Sequence, residues 1–231
     1  ESVKKSGLND FTIFETEGNQ TGHCAIFITP DGERTMNTYL GAGAFLSVED
    51  LDEEAIKSAE ILYMEGYLWD RPTSKEAFLY AAKLNKSSGG KNAITLSDVF
   101  CVEMHRDSFI EFIKESIDFV FCNEEEIMSL TMKETIDEAI NSFTNQFPNI
   151  EELVCTLGPR GALVISNGKK SHYDATEAEV VDKTGAGDYF AAGYLYGLQK
   201  KLSIEESADI ANRSAAYVIS EVGVRPKNKF N

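Results

Sequence analysis

The chain has 231 residues, 42% of them hydrophobic, and its 22 Lys and Arg residues against 38 Asp and Glu residues give a formal net charge of -16. This length suits one large α/β domain, or one domain with a small appendage, and argues against two independent domains. The negative field of the chain repels phosphate backbones and anionic lipid surfaces, so we expect it to bind neither nucleic acid nor a membrane.

The four cysteines form no C-x-x-C pair, and no histidine stands at zinc-ligand spacing from them. They are Cys24, Cys101, Cys122 and Cys155. We expect buried or half-buried free thiols, as in a reducing cytosol. No apolar run approaches the ~20 residues that cross a bilayer, and the N-terminal residues lack the apolar segment of a signal peptide. These features predict a soluble cytoplasmic protein, and because Glu1 is not Met we expect the gene product to start upstream.

The first predicted element is a β-hairpin. Residues 11–40 have an extended pattern, in which the apolar run Cys24–Thr29 is followed by a Pro30–Gly32 turn and a second run, Arg34–Tyr39. We assign residues 11–42 to this hairpin segment and residues 43–231 to an α/β core.

From Ser47 onward, short apolar runs alternate with helical periodicity. The runs predicted to be strands buried on both faces are Ile61–Met64, Asn92–Leu96, Phe119–Cys122, Leu153–Thr156 and Ala162–Ile165. Helices are predicted at about 47–60, where Ser47 is a candidate N-cap three residues before Asp50, and at about 74–87, 106–115, 124–130 and 135–147. Repeated β-α-β units predict an α/β fold, a mostly parallel sheet with helices on both faces. Such sheets bind ligands at the carboxyl ends of their strands.

The strongest local motif is Asp182–Asp188, which runs directly into the small-residue helical stretch Tyr189–Gly197. Gly185, Ala186 and Gly187 are small enough for their amides to converge on an anion, and the helix that follows adds the positive end of its dipole. The motif therefore predicts an anion-binding helix start.

Asp188 lies in the first turn of that predicted helix. It could accept the proton of an attacking hydroxyl while the amides stabilise charge on a phosphoryl group. The alternative interpretation is that Asp188 only caps the helix and that the glycines only allow close packing. The chain has neither the P-loop motif nor a dinucleotide-binding fingerprint, so neither of those classes explains the segment.

The segment Asp182–Asp188 resembles the C-terminal signature, usually DTTGAGD, of the ribokinase-like (PfkB) kinases, with Lys183 at a variable position. Asn123–Glu126 resembles the N-x-x-E motif of the family, which implies that Asn123 and Glu126 help to position Mg²⁺ and the nucleotide phosphates. Without the resemblance, this segment is a helix start with acidic residues favoured by the helix dipole.

Thr156–Gly161 resembles the family's T-x-G-x-x-G turn, which implies that Thr156, Gly158 and Gly161 lie along the nucleotide. By itself this segment is only a turn that ends a strand.

The end of the chain extends the resemblance. Ala211–Ala216 and Gly223–Pro226 are similar to the final helix and loop that border the adenine, which implies that Asn212 touches the nucleotide. The resemblance also implies that Asp182 and Thr184 hold a monovalent cation such as K⁺. The alternative for Asn212 is a solvated residue on the helix surface.

The hairpin resembles the lid that covers the acceptor in this family, which implies that Asn37 lies near the substrate. Glu65 stands where members of the family place a side chain that contacts the sugar. Met64–Asp70 is similar to the bacterial members labelled adenosine kinase, so we favour a nucleoside over a free sugar, although fold and phosphate chemistry are shared while the pocket is not.

The resemblance implies an ATP-dependent kinase that uses Mg²⁺, and K⁺ as a further cation, with a small-molecule nucleoside or sugar as its partner. It permits a homodimer through the lid strands. The resemblance begins in the middle of the family pattern, and no G-G-x-x-x-N segment is present, so we expect about a hundred residues of a complete kinase to be absent. The alternative from another functional class is a non-catalytic relative that binds adenine nucleotides and acts through a partner.

Overall fold

The computed structural model describes residues 20–225, in which strands and helices alternate along most of the chain. The strands are β1 (His23–Ile28), β2 (Arg34–Tyr39), β3 (Ile61–Glu65), β4 (Lys91–Thr95), β5 (Phe119–Asn123), β6 (Glu152–Thr156), β7 (Ala162–Ser166) and β8 (Lys169–Tyr173). The α-helices are α1 (Glu53–Ser58), α2 (Pro72–Ser87), α3 (Val99–Ser116), α4 (Glu124–Thr131), α5 (Ile136–Gln146), α6 (Ala186–Gln199) and α7 (Ile204–Ile219).

The strands form two sheets. Antiparallel β1 and β2 make the predicted hairpin, and the larger sheet has the order β3-β4-β5-β6-β7-β8. The first four strands of that sheet are parallel, and β7 and β8 are added antiparallel. The predicted α/β class with a mostly parallel sheet and a small hairpin is therefore confirmed. The extended pattern predicted for residues 11–19 lies outside the described residues.

Helices cover both faces of the larger sheet because its strands are apolar along most of their length. Successive side chains of a strand point to opposite faces, so both faces are apolar and need cover. In β5, Val120 and Cys122 join a core with Trp69 and Phe109, which lies under helices α2 to α5. Phe121 instead joins a second core that is built on α6 and α7. A sheet with two buried faces needs a helix layer on each side, and this explains the nearly continuous apolar runs.

The predicted strands all occur, with two qualifications. β3 is not buried on both faces: Met64 is buried but its neighbours are half-exposed, because β3 is the edge strand of the described sheet. β8 was not predicted, since its sequence Lys-Lys-Ser-His-Tyr contains no apolar run.

Two helix predictions were wrong in detail. The helix expected at 47–60 is a 3₁₀ turn, Val48–Asp50, followed by the short α1, because the side chain of Asp52 accepts a hydrogen bond from the amide of Ala55 and caps a new helix. Ser47 does form a capping box with Asp50, but on the 3₁₀ turn. Helix α3 begins at Val99 rather than 106 and is interrupted by non-helical dihedral angles at His105.

The cysteine prediction is confirmed, since all four thiols are free, with Cys122 and Cys155 buried and Cys24 and Cys101 half-buried. Within residues 20–225, no helix combines the length and apolar character that a membrane span requires.

Helices α6 and α7 pack closely through glycine. A Cβ added to Gly197 would lie 2.3 Å from the Oγ of Ser207 and 2.8 Å from its Cα. We expect Gly197→Ala to lower the free energy of unfolding by about 1–3 kcal/mol, because it forces the two helices apart. Gly187→Ala in the same helix is the control: its Cβ would meet nothing within 4 Å, so stability should not fall, because alanine favours a helix over glycine. Urea unfolding measures both, and equal losses would contradict this account of the packing.

Candidate active site

Polar residues from distant parts of the chain meet at the carboxyl edge of the larger sheet. Glu65 ends β3, Asn123 ends β5 and Thr156 ends β6, and Asn123 and Thr156 are register partners on adjacent strands. This confirms the expectation that the motif residues follow the strands. The N-terminus of α6 is a further component of the candidate site.

The start of α6 has the features of an anion site. Gly185 is the N-cap with a φ of 81°, and a Cβ there would lie 2.9 Å from Cγ1 of Val224, so both backbone and space favour glycine. The amide of Ala186 donates to the carbonyl of Lys183 at 3.2 Å. The amides of Gly187 and of Asp188, the third helical residue, have no acceptor within the helix, as is general for a helix start.

The anion hole predicted from three amides is therefore modified. Ala186 uses its amide to close the turn, and Gly187 and Asp188 offer theirs. The space beside Gly187 is open, and the side chain of Asp188 is exposed at the same helix start. An anion and an acidic side chain can thus share one small region.

Asp182 is 2% exposed and joins two segments of the chain. Its Oδ1 accepts from the amide of Thr184 at 2.9 Å and from the hydroxyl of Thr184 at 2.5 Å, and its Oδ2 accepts from the amide of Gly223 at 2.8 Å. Burial raises the pKa of Asp182, but these hydrogen bonds outweigh burial and keep the pKa below its usual value. The side chains of Asp182 and Thr184 are therefore in direct contact, as is expected of two residues that share a cation site.

Asn123 and Glu126 form a reciprocal capping box at the start of α4. The amide of Asn123 donates to Glu126 Oε2 at 3.0 Å, the Asn123 Nδ2 donates to Oε1 at 2.8 Å, and the amide of Glu126 donates to Asn123 Oδ1 at 2.8 Å. Burial, as the largest cause, and the charges of Asp98 and Glu125 together raise the pKa of Glu126 to about 7, against the lowering effect of the Asn123 backbone hydrogen bond. The interpretation of this segment as a helix start is thus correct. The carboxyl of Glu126 is buried at this helix start.

The turn after β6 depends on its glycines. Gly158 and Gly161 have φ values of 60° and 86°, and a Cβ on Gly161 would lie 2.0 Å from the carbonyl oxygen of Tyr173. The Thr156 hydroxyl donates to the carbonyl of Cys122 at 3.4 Å. The turn is therefore held in one conformation next to the end of β5.

Glu65 and Asp188 lie in one electrostatic neighbourhood. Burial raises the pKa of Glu65, and the charge of Asp188 raises it further. The same two carboxylates raise the pKa of Tyr63, for which burial is the main cause. The structure therefore brings the predicted substrate residue Glu65 towards the predicted base.

Asn37 and Arg34 lie on opposite faces of the hairpin. Side chains alternate along a strand, and cross-strand partners share a face, so Asn37 shares its face with Ala25, whereas Arg34 shares the opposite face with Ile28 and Met36. The positive charge of Arg34 lowers the pKa of Asp182 and opposes the rise in the pKa of Tyr67. The contact of Asn37 with a substrate stays a prediction.

Sequence reasoning missed several residues that line this region. Burial, as the largest cause, and the charges of Asp98, Cys101 and Glu126 together raise the pKa of Tyr67 to about 12, against the opposing charge of Arg34. Asp98 could have been found, because it lies three residues after the end of β4, at the same edge of the sheet where Asn123 ends β5. Arg34, which comes from the hairpin, carried no comparable signal.

The opening turn of α3 exposes apolar side chains beside these polar groups. Phe100 is 65% exposed and Met104 58% exposed, while Tyr67 is 50% exposed. The Asp98 side chain caps this turn by accepting from the amide of Phe100 at 2.7 Å. An exposed phenyl ring at a strand's carboxyl end is available to stack on a ligand.

Asn212 is 7% exposed in α7, so the interpretation of a solvated surface residue is wrong. Its contact with a nucleotide stays a prediction. A shallow groove of about 320 Å³ runs between residues 176–178 and the adjoining stretch of α7, where Arg213, Ala216, Tyr217 and Ser220 line it.

Among the residues that the structure describes, no three His, Cys, Asp or Glu side chains stand close enough to hold a metal ion by themselves. The carboxylate and carbonyl oxygens at the edge are nevertheless the donors that Mg²⁺ prefers when phosphates and water complete its coordination.

The chain is similar to known proteins along its whole length. The profile of the family described as pfkB family carbohydrate kinase matches residues 1–230. The solved structure of adenosine kinase from Sinorhizobium meliloti is 36% identical, covers 98% of this chain and 69% of that chain, and has a TM-score of 0.93. That of a probable sugar kinase from Rhizobium etli is 38% identical, covers 90% of this chain and 63% of that chain, and has a TM-score of 0.86.

Among curated proteins, the adenosine kinase of Saccharomyces cerevisiae is 27% identical over 215 residues, which are 88% of this chain and 62% of that protein. The chain therefore spans less than two thirds of this relative.

The raised pKa of Glu126 predicts a pH-dependent stability. Because the folded-state pKa is about 7 against an ordinary value of 4.5, the contribution of this carboxyl is fully present below about pH 4.5 and is lost as the pH rises through about 7. Relative to Glu126→Gln, which keeps a capping-box side chain, the parent should lose about 1–3 kcal/mol between about pH 5 and about pH 8. Urea unfolding across this range measures the difference. Glu134→Gln, at an exposed position in the loop after α4, is the control, and a pH-independent gap for Glu126→Gln would disprove the assignment.

Proposed function

The chain belongs to the pfkB family of carbohydrate kinases, and from this premise we propose that it forms the ATP-binding and catalytic part of a kinase that phosphorylates a hydroxyl of a nucleoside. The observation that carries the proposal is the start of α6, where the exposed carboxylate of Asp188 stands beside helix amides that have no intrahelical acceptor. A base and an anion site so close together suit phosphoryl transfer to an alcohol.

In the proposed reaction, Asp188 accepts the proton of the acceptor hydroxyl as that oxygen attacks the γ-phosphorus of ATP, the bond from this phosphorus to the β,γ-bridging oxygen breaks, and ADP leaves. The amides of Gly187 and Asp188 and the helix dipole stabilise the charge on the transferring phosphoryl group. The open space beside Gly187 accommodates that group, and Arg34 brings a positive charge from the hairpin.

ATP and Mg²⁺ fit the residues present. Glu126 and Asp98 would help to hold Mg²⁺ together with the phosphates, and Asn123 orients the carboxylate of Glu126 through its hydrogen bonds. When bound, the metal would neutralise phosphate charge. Thr156, Gly158 and Gly161 would lie along the nucleotide, and Asn212 would approach its adenine.

K⁺ is a separate proposal. The buried oxygens of Asp182 and Thr184 would hold it, and its charge would offset the Asp182 carboxylate.

Two observations favour a nucleoside acceptor over a free sugar. Phe100 and Tyr67 are aromatic and exposed at the edge of the site, and Ile26 and Met36 are register partners on the hairpin face that carries Arg34. A nucleobase can stack on such apolar groups, whereas a free sugar would leave them exposed to water. Glu65 would accept hydrogen bonds from the sugar hydroxyls. A sugar acceptor remains the second candidate, since a relative described above is named a probable sugar kinase.

The role of Asp188 is tested by Asp188→Asn. We expect turnover to fall by about 10²- to 10⁴-fold while nucleotide affinity stays nearly unchanged, because the amide cannot accept the proton but preserves the shape of the site. Steady-state ATP consumption is measured on the full-length gene product with Mg²⁺ and K⁺, with adenosine, other nucleosides, ribose and fructose as acceptors. Asp107→Asn, on the exposed surface of α3, is the control. Comparable turnover in Asp188→Asn would exclude Asp188 as the base, and nucleotide binding without turnover on any acceptor would favour a non-catalytic relative.

The acceptor class is tested by Phe100→Ala. We expect KM for a nucleoside to rise by about five- to a hundredfold, because a base–aromatic stacking contact is lost, with little effect on kcat or on KM for ATP. Phe27→Ala is the matched control, since Phe27 is 66% exposed on the hairpin face opposite Arg34. An unchanged KM for nucleosides, or a preference of the parent for ribose or fructose, would replace the nucleoside with a sugar.

A further inference from the structure

We propose that Lys183 is a positioning residue that couples the hairpin to the anion-binding start of α6, so that acceptor and nucleotide strengthen each other's binding. This inference rests on the proposed function, which supplies the two ligands. The evidence for it is three contacts between the hairpin turn and residues 180–183.

The backbone of Lys183 bridges the two structures. Its amide donates to the carbonyl of Gly32 in the hairpin turn at 3.2 Å, and its carbonyl accepts from the amide of Ala186 at 3.2 Å. A displacement of the hairpin turn therefore acts on the same residue that closes the turn into α6. No intervening side chain is needed for this connection.

The side chain of Lys183 makes a second contact with the hairpin. Its Nζ forms an ion pair with Glu33, and the two side chains are 40% and 60% exposed. An exposed pair of this kind is weak by itself. It nevertheless links charge at the anion site to the hairpin, and the Thr that usually occupies this position in the family signature offers no ammonium group to Glu33.

Steric fit holds the hairpin turn against the core. Gly32 is buried although the strands beside it are exposed, and its φ is 78°. A Cβ on Gly32 would lie 2.7 Å from Cγ1 of Val180. The turn is itself rigid, because the amide of Gly32 donates to Thr29 and the amide of Thr29 donates to Glu33, each at 2.9 Å.

These contacts hold the hairpin turn in one position against residues 180–183, and we call this position of the hairpin seated. Arg34 follows Glu33 directly, and its charge reaches Asp182 and Tyr67. An acceptor bound under the hairpin would hold the turn in place, and the turn would hold Lys183 and the first residues of α6. By reciprocity, a nucleotide that orders the start of α6 would favour the seated hairpin to the same degree.

The test measures this coupling by calorimetry on the full-length gene product. Adenosine is titrated with and without Mg²⁺ and a non-hydrolysable ATP analogue, in the parent and in Lys183→Met, Glu33→Gln and the swap Glu33→Lys with Lys183→Glu. We expect the nucleotide analogue to tighten adenosine binding by about fivefold or more in the parent. We expect that factor to fall by about two- to fivefold in each single variant and to recover in part in the swap, while adenosine affinity without nucleotide stays within about twofold. Lys170→Met removes a remote exposed ion pair with Asp137 and should leave the factor unchanged.

The outcomes separate this inference from the proposed function. A parent that binds both ligands without coupling, or single variants that keep the parental factor, would overturn the role of Lys183 alone. A loss of nucleotide affinity in Lys183→Met with no loss in Glu33→Gln would show that Lys183 contacts phosphate directly, and this also overturns the inference. A parent that binds neither ligand would remove the proposed function, and the inference with it.

Discussion

Both carboxylate oxygens of Asp182 are used to hold the chain together, and the candidate site depends on this arrangement. The carboxylate ties the segment that enters α6 to Gly223, which follows α7, while the amides of Val181 and Asp182 donate to the carbonyl of Ile219 at 2.8 and 3.2 Å. Close packing of α6 on α7 through Gly197 completes the unit. Asp188 and the open amides are therefore held by a closely packed pair of helices, as the proposed base and anion site require.

The chain is strongly acidic, yet its candidate site is arranged for an anion. Glu65, Asp98, Glu126 and Asp188 lie around the edge of the sheet and would repel phosphates if they acted alone. The compensating groups are local: the helix amides and Arg34 from the hairpin. Because Arg34 belongs to the hairpin, the electrostatics of the site are complete only when the hairpin is seated. This links the acceptor side and the phosphate side of the site through charge as well as through the backbone.

Sequence predictions that rest on local signals were more accurate than those that depend on contacts between distant parts of the chain. The buried strands and the membership of the family were predicted correctly, because apolar runs and glycine-containing motifs are local signals that survive in any context. The helix expected at 47–60 failed because the Asp52 side chain captured the amide of Ala55 and started a new helix, a competition that apolar periodicity does not reveal. β8 has no apolar run, and it pairs only because β7 offers an open edge. The face of Asn37 could not be assigned without knowing which face of the hairpin meets the core.

The sequence by itself determined the α/β class, the five apolar strands of the sheet, and the motif that places a carboxylate beside small residues at a helix start. Backbone conformation and apolar burial are set largely by neighbouring residues, so these features can be recognised without the fold. Only the tertiary structure decided that Glu65 and Asp188 interact electrostatically, that Arg34 brings positive charge to an acidic site, and that Lys183 pairs with Glu33 of the hairpin. Each of these depends on distances between residues far apart in the chain, and only the folded sheet and the seated hairpin set those distances.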